Sequence, residues 1–153
     1  MHSNIDLRDP GIHEVPRQYL GNLGRGTTTS NYNRGLMCPV DHLYIIDSLY
    51  CLNLDASTRI LYINFVYNGN YTSSTNYTYD ASNAHFLHDD YDGKLRSLSS
   101  MYLRYGATMA ANTLETIVTK DAPLYIQPGS GIHGWTNTDD NDIMMTINYR
   151  DFF

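Results

Sequence analysis

Cysteine is nearly absent: the 153 residues hold two, Cys38 and Cys51. A disulfide-stapled scaffold needs more, so folding must rest on a packed core, and the pair is expected as free thiols. Tryptophan occurs once and phenylalanine four times, whereas tyrosine contributes 14 residues, so any aromatic surface is largely a tyrosine surface. Charge is scarce as well, at 17% against about a quarter in an average domain. Helix surfaces are normally filled by Lys and Glu; their shortage beside many Tyr, Asn, Thr and Ser points to β-sheet. The ten Lys and Arg residues are scattered and the net charge is −6. Phosphate recognition draws its affinity from clustered cations, so no nucleic-acid partner is expected. No apolar run nears the roughly 20 residues that cross a bilayer. Met1-His2-Ser3-Asn4-Ile5-Asp6 has neither the basic nor the apolar region of an export signal, so neither a membrane partner nor secretion is expected.

What the chain does have is alternation. Ile143, Met145, Ile147 and Tyr149 fall on one side of an extended segment, and Met144, Thr146 and Asn148 on the other, as in a half-buried antiparallel strand. Upstream, Leu124-Tyr125-Ile126, a Pro128-Gly129 corner and residues 131–136 read as strand, turn and strand. Residues 138–142 then make a polar hairpin turn. Residues 42–53 and 59–67 repeat this pattern around the polar turn 54–58. Residues 95–105 and 107–118 read as two more strands, with a short helix over 107–115 as the alternative. The chain length suits one domain, which can bury roughly two thirds of its unfolded surface.

Two stretches break the pattern. Residues 1–35 contain Pro10, Pro16 and the run Gly21-Asn22-Leu23-Gly24-Arg25-Gly26, with no sustained period of 2 or 3.6. They are expected to form an extended N-terminal arm ahead of a sandwich domain at 36–153. Its large apolar residues, Ile5, Leu7, Ile12, Val15, Tyr19, Leu20 and Leu23, are candidate contacts to a partner. Residues 68–100 are rich in Asn, Tyr, Thr, His and Asp, and a loop this long in a compact domain is often functional.

Few constellations carry chemistry. His85, His88, Asp89 and Asp92 offer imidazoles and carboxylates within eight residues, yet a metal needs three or four converging ligands. A polar loop is the expectation there, with no metal and no cofactor. The three glycines at 21–26 lack the preceding strand and the Lys of a phosphate loop. No nucleophile motif is present, so no catalytic residue is assigned and no enzymatic activity is expected. Tyr71, Tyr77, Tyr79 and Trp135 are candidates for stacking on sugar rings; the alternative packs Trp135 in the core or against a neighbouring subunit.

The order of these strands resembles that of the small jelly-roll-like β-sandwich proteins of tailed-phage virions. The matching residues are Pro39, Ile45, Leu49 and Asn53, then Ile60 to Val66, then Leu124, Ile126, Gly129 and Ile132, and finally Ile143 to Tyr149 with Asp151. The likeness spans roughly residues 36–68 and 100–151. Ser130 stands where that pattern carries an acidic residue, and Val40-Asp41 where it carries a glycine turn. The resemblance implies an all-β, antiparallel, jelly-roll-like sandwich. It also implies a virion structural protein, assembled in the host cytoplasm and acting by oligomerisation, for example as a trimer, and by docking on other capsid or tail proteins. Capsid decoration or cementing is the expected role, with neck, tail or fibre attachment, or a carbohydrate- or receptor-binding module, as alternatives.

Overall fold

Period-2 alternation decides the architecture. In the computed structural model, which describes residues 7–24, 33–39, 41–66, 86–88, 101–138 and 142–153, every regular element is a strand. In chain order these are β1 (Glu14–Leu23), β2 (Asn33–Met37), β3 (Leu43–Asn53), β4 (Arg59–Val66), β5 (Phe86–His88), β6 (Met101–Met109), β7 (Leu114–Val118), β8 (Leu124–Ile126), β9 (Gly131–Thr136) and β10 (Ile143–Phe152). Residues 107–115 form no helix: they finish β6, turn, and begin β7.

Two antiparallel sheets result. Sheet A runs β1-β10-β3-β7, and β8 joins the same edge of β3 further along. Sheet B runs β5-β2-β9-β4-β6. Strands from the two ends of the chain therefore nest: β1 lies on β10, β2 on β9, and β3 and β4 on strands from the second half. A long hairpin folded on itself in this way is a jelly roll, and β5 is an added strand outside β2.

The inward positions of both sheets interlock. Tyr19, Leu23, Tyr44, Ile46, Leu49, Cys51, Ile143, Met145 and Ile147 of sheet A meet Leu36, Leu61, Ile63, Phe65 and Ile132 of sheet B. Gly134 explains how closely the layers approach. A Cβ there would lie 2.7 Å from Ile63 Cδ1 and 3.0 Å from Leu23 Cδ1, so glycine lets Leu23 reach across from the opposite sheet without either side-chain end having to shift.

The loops sort by end. At one end the β3–β4 and β6–β7 turns are joined by Asn53, whose side-chain amide donates to the carbonyls of Ser57, Met109 and Ala110 at 2.9, 3.2 and 3.0 Å, and Asp142, just before β10, accepts from the Leu54 amide at 2.7 Å. Arg59 completes that end by pairing with Asp55 and, at 2.8 Å, with Asp142. At the other end Cys38 exchanges backbone hydrogen bonds with Gly129 and Ser130, and His42 meets Asp151 of the last strand.

The expected arm at 1–35 does not hold for residues 14–23. They pair with β10 along their whole length, from Glu14 opposite Phe152 to Leu23 opposite Ile143. Tyr19 is 1% exposed and Leu23 fully buried, so the sandwich begins with β1 and not at residue 36. The reason is that β1 is an edge strand. It buries one side chain in two on one face only, and Pro16 and Gly21 are tolerated where no second neighbour claims the backbone.

Candidate functional site

The outer face of sheet B carries the densest array of functional side chains. In β4, Leu61, Ile63 and Phe65 point into the core, which turns Tyr62 and Asn64 outward. Across the ladder Tyr62 faces Trp135 and Asn64 faces His133. On the other side Asn64 faces Tyr102, and the β6 register shifts twice opposite residues 61–64. Gly106, at φ +64°, supplies the left-handed backbone that such a shift requires. Tyr102 and Tyr105 are three apart and would face opposite sides of a regular strand; the shifts bring Tyr105 against Tyr62 and Tyr102 against Trp135.

Four rings close a circuit there. Tyr62 stacks on Trp135 with centroids 5.1 Å apart and planes 3° from parallel. Tyr105 meets Tyr62 edge-on at 5.6 Å, Tyr102 meets Tyr105 at 4.9 Å, and Tyr102 meets Trp135 at 6.0 Å. Offset and edge-to-face contacts of this kind contribute about 0.5–1.5 kcal/mol each beyond area burial. Exposure rises along the circuit, from 6% at Trp135 to 39% at Tyr102 and 73% at Tyr105. His133 tilts against Trp135 at 5.4 Å and is itself buried, as is Asn64.

A second cluster lies between the sheets near the end of β10. The fully buried Asp151 carboxylate accepts from Arg17 Nε at 2.7 Å and pairs with His42 Nδ1 at 2.6 Å. Tyr44 and Tyr149, 4.6 Å apart, sit beside it. Burial pushes the Tyr149 hydroxyl up to about 12 and raises that of Tyr44 as well. Cys38 is adjacent, so a cysteine, a histidine and an aspartate lie near one another. The geometry is nevertheless that of a brace. Cys38 Sγ donates to the main-chain carbonyl of His42 at 3.1 Å, and burial raises the thiol to about 12, which leaves almost no thiolate at neutral pH.

The remaining features are smaller. A cleft of about 190 Å3 opens beside the start of β6, lined by Phe65, Met101, Leu124, Tyr125, Gln127 and Ser130. It lies below the size of ordinary small-molecule sites. Among the described residues no three His, Cys, Asp or Glu side chains gather as metal ligands would. At the loop end, the Arg59 guanidinium lies between the Asp55 and Asp142 carboxylates.

The residues singled out in the sequence separate. Tyr19 and Leu23 belong to the core, which corrects their assignment as partner contacts. Leu20 is 58% exposed on the outer face of sheet A, Leu7 is 47% exposed, and Ile12 and Val15 are half-buried. Trp135 faces outward on sheet B, not into the core. Ile5, Tyr71, Tyr77, Tyr79, His85, Asp89 and Asp92 lie outside the described residues, and His88 is described only as part of β5. Tyr62, Tyr102 and Tyr105, which complete the ring circuit, have no sequence signal except their place in alternating segments. No protein-family model, no curated protein and no solved structure matches this chain.

Proposed function

We propose that the protein is a structural component of a tailed-phage virion, a decoration or cement protein that acts by docking and self-association and not by catalysis. The observation that carries this reading is the nested strand order, β1-β10-β3-β7 against β2-β9-β4-β6, an architecture that capsid proteins use among other classes. The likeness of its strand patterns to virion sandwiches points the same way. Fold alone does not fix function, and the surface adds support.

The outer face of sheet A divides into two halves. Near Ser48 it is polar: Gln18 donates to Asn148 and Asn148 to Ser48, both at 2.8 Å, and Arg150 pairs with Asp47 at 3.0 Å. Toward the loop end it turns apolar. Leu20 and Tyr50 flank Thr146 in one row, and Met144, Leu52 and Leu114 form the next. Leu20 and Leu114 are 58% and 57% exposed. An apolar patch with a polar rim suits a protein interface, which needs upward of about 1,000 Å2 in total.

The test is to purify particles from cells infected with the virus that encodes the chain, identify their proteins by mass spectrometry and image them by cryo-electron microscopy. Stoichiometric presence, with density for the sandwich on the particle, is expected. Absence from the purified particles ends the proposal.

A further inference from the structure

We propose that the ring circuit of Tyr62, Tyr102, Tyr105 and Trp135 on the outer face of sheet B binds a neutral saccharide, with hexopyranose rings laid on the tyrosine faces. This goes beyond the virion reading and does not depend on it.

Three observations carry the inference. The first is exposure beside packed neighbours. Tyr105 leaves 73% of its surface in solvent yet is fixed by edge contacts to Tyr62 at 5.6 Å and Tyr102 at 4.9 Å. A pre-set aromatic surface avoids much of the ordering cost of binding. The second is shape. The stacked Tyr62 and Trp135 pair is a buttress, with Trp135 itself only 6% exposed, and the more exposed Tyr102 and Tyr105 stand edge-on to it and to each other. A flat C–H face can lie on one ring while its rim meets the next.

The third is chemistry. Among the described residues, the outward positions of these three strands are Ile60, Tyr62 and Asn64 in β4, His133 and Trp135 in β9, and Tyr102, Tyr105 and Thr108 in β6. Arg104 pairs with Glu115 of β7 at 2.7 Å, and Arg59 with Asp55 and Asp142. Phenol hydroxyls such as that of the exposed Tyr105 can donate to and accept from sugar hydroxyls. Aromatic faces for the apolar side of a ring, with uncharged hydrogen-bonding groups for its rim, match a neutral sugar better than an aliphatic peptide.

Trp135 is the only tryptophan of the chain, so its fluorescence reports on this face directly. The full-length chain is screened on an array of neutral oligosaccharides that includes gluco-, galacto- and N-acetylglucosamine oligomers. Each hit is then titrated while Trp135 emission is followed. Saturable binding that shifts the emission is expected, with affinity at least 10-fold weaker in Tyr105→Ala and Tyr102→Ala. Both tyrosines are exposed, so the variants keep the fold, which circular dichroism checks. Tyr125→Ala, on the outer face of sheet A and 57% exposed, is expected to bind as the parent does. The proposal is overturned if no neutral oligosaccharide binds, if only charged glycans or peptides bind, or if the Tyr102 and Tyr105 variants bind unchanged. These outcomes are read on the isolated chain, so none of them bears on whether it belongs to a particle.

Discussion

Arg17 Nε lies 2.7 Å from Asp151 Oδ2, a side-chain tie between β1 and β10 in addition to their backbone ladder. Asp151 is fully buried, while the Arg17 side chain keeps 37% of its surface in solvent and the His42 side chain 22%. The cluster thus seals the interior at that end of the sandwich: the carboxylate sits inside, and the Arg17 guanidinium and the His42 ring cover it from the rim. A buried carboxylate is tolerable only with such partners.

Asp151→Asn removes that charge and leaves two donors facing an amide. Losing one partner of a buried pair costs about 3–5 kcal/mol; partial exposure of Arg17 and His42 brings the expected loss to about 2 kcal/mol. Urea unfolding measures it. Arg17→Ala is expected to cost less than Asp151→Asn, and the opposite order would mean that Asp151 is not the hub of the cluster.

The place of β1 predicts how truncations behave. Removing residues 1–11 takes away none of the described strands, the first of which starts at Glu14, and the melting temperature is expected to shift by only a few degrees. Removing residues 1–24 strips Tyr19 and Leu23 from the core, each contributing about 1.5–3 kcal/mol of burial, and exposes the edge of β10. Such a chain is expected not to melt cooperatively. A folded, monomeric product from the longer deletion would show that β1 is dispensable.

How far this fold can be read from sequence depends on how many faces of a strand are buried. β10 alternates without a break from Ile143 to Tyr149, so its core side is legible. β1 is not, because between Glu14 and Leu23 only Tyr19 and Leu23 are large and fully buried, and the glycines around them read as loop. Trp135 shows a second limit. The alternation of residues 131–136 gives two sets of positions but not which set is inside; pairing with β4 decides it by placing Ile132 opposite Phe65. The ring circuit was less accessible still. Tyr102 and Tyr105 share a face only through the irregularities in β6, which no periodicity announces.

Asn53 offers a sharp substitution. Its amide donates to three main-chain carbonyls, and its Oδ1 accepts from the Asp55 amide at 3.0 Å. Asn53→Ala removes three side-chain hydrogen bonds, the one to the Met109 carbonyl buried, while the Ala110 carbonyl keeps its bond from the Thr113 hydroxyl; the expected cost is about 1–3 kcal/mol. Asn53→Asp keeps the shape but turns a carboxylate toward those same carbonyls, and is expected to be worse than alanine at pH 7. Thermal melts of both variants at pH 5 and pH 7 test this. If Asp is tolerated as well as Ala at pH 7, the amide is not the donor that joins the β3–β4 and β6–β7 turns.

The two thiols predict the alkaline limb of stability. Cys38 and Cys51 are both buried and free, and burial raises each above the ordinary value of 9.0. Above about pH 9 the unfolded chain releases these protons while the folded chain keeps them. The unfolded state then binds fewer protons, so stability falls as pH rises; below that value both states are protonated and the contribution is intact. Each thiol is expected to remove about 1.4 kcal/mol per pH unit beyond pH 9, and Tyr44 and Tyr149 add to the decline from about pH 10. Urea midpoints between pH 7 and 10 should therefore be level at first and then drop. The Cys38→Ala, Cys51→Ala double variant is expected to be less stable at neutral pH but flat to pH 10, and a decline as steep as the parent's would assign the effect to other groups. A thiol reagent provides the parallel check: no reaction in the native protein and two equivalents after denaturation.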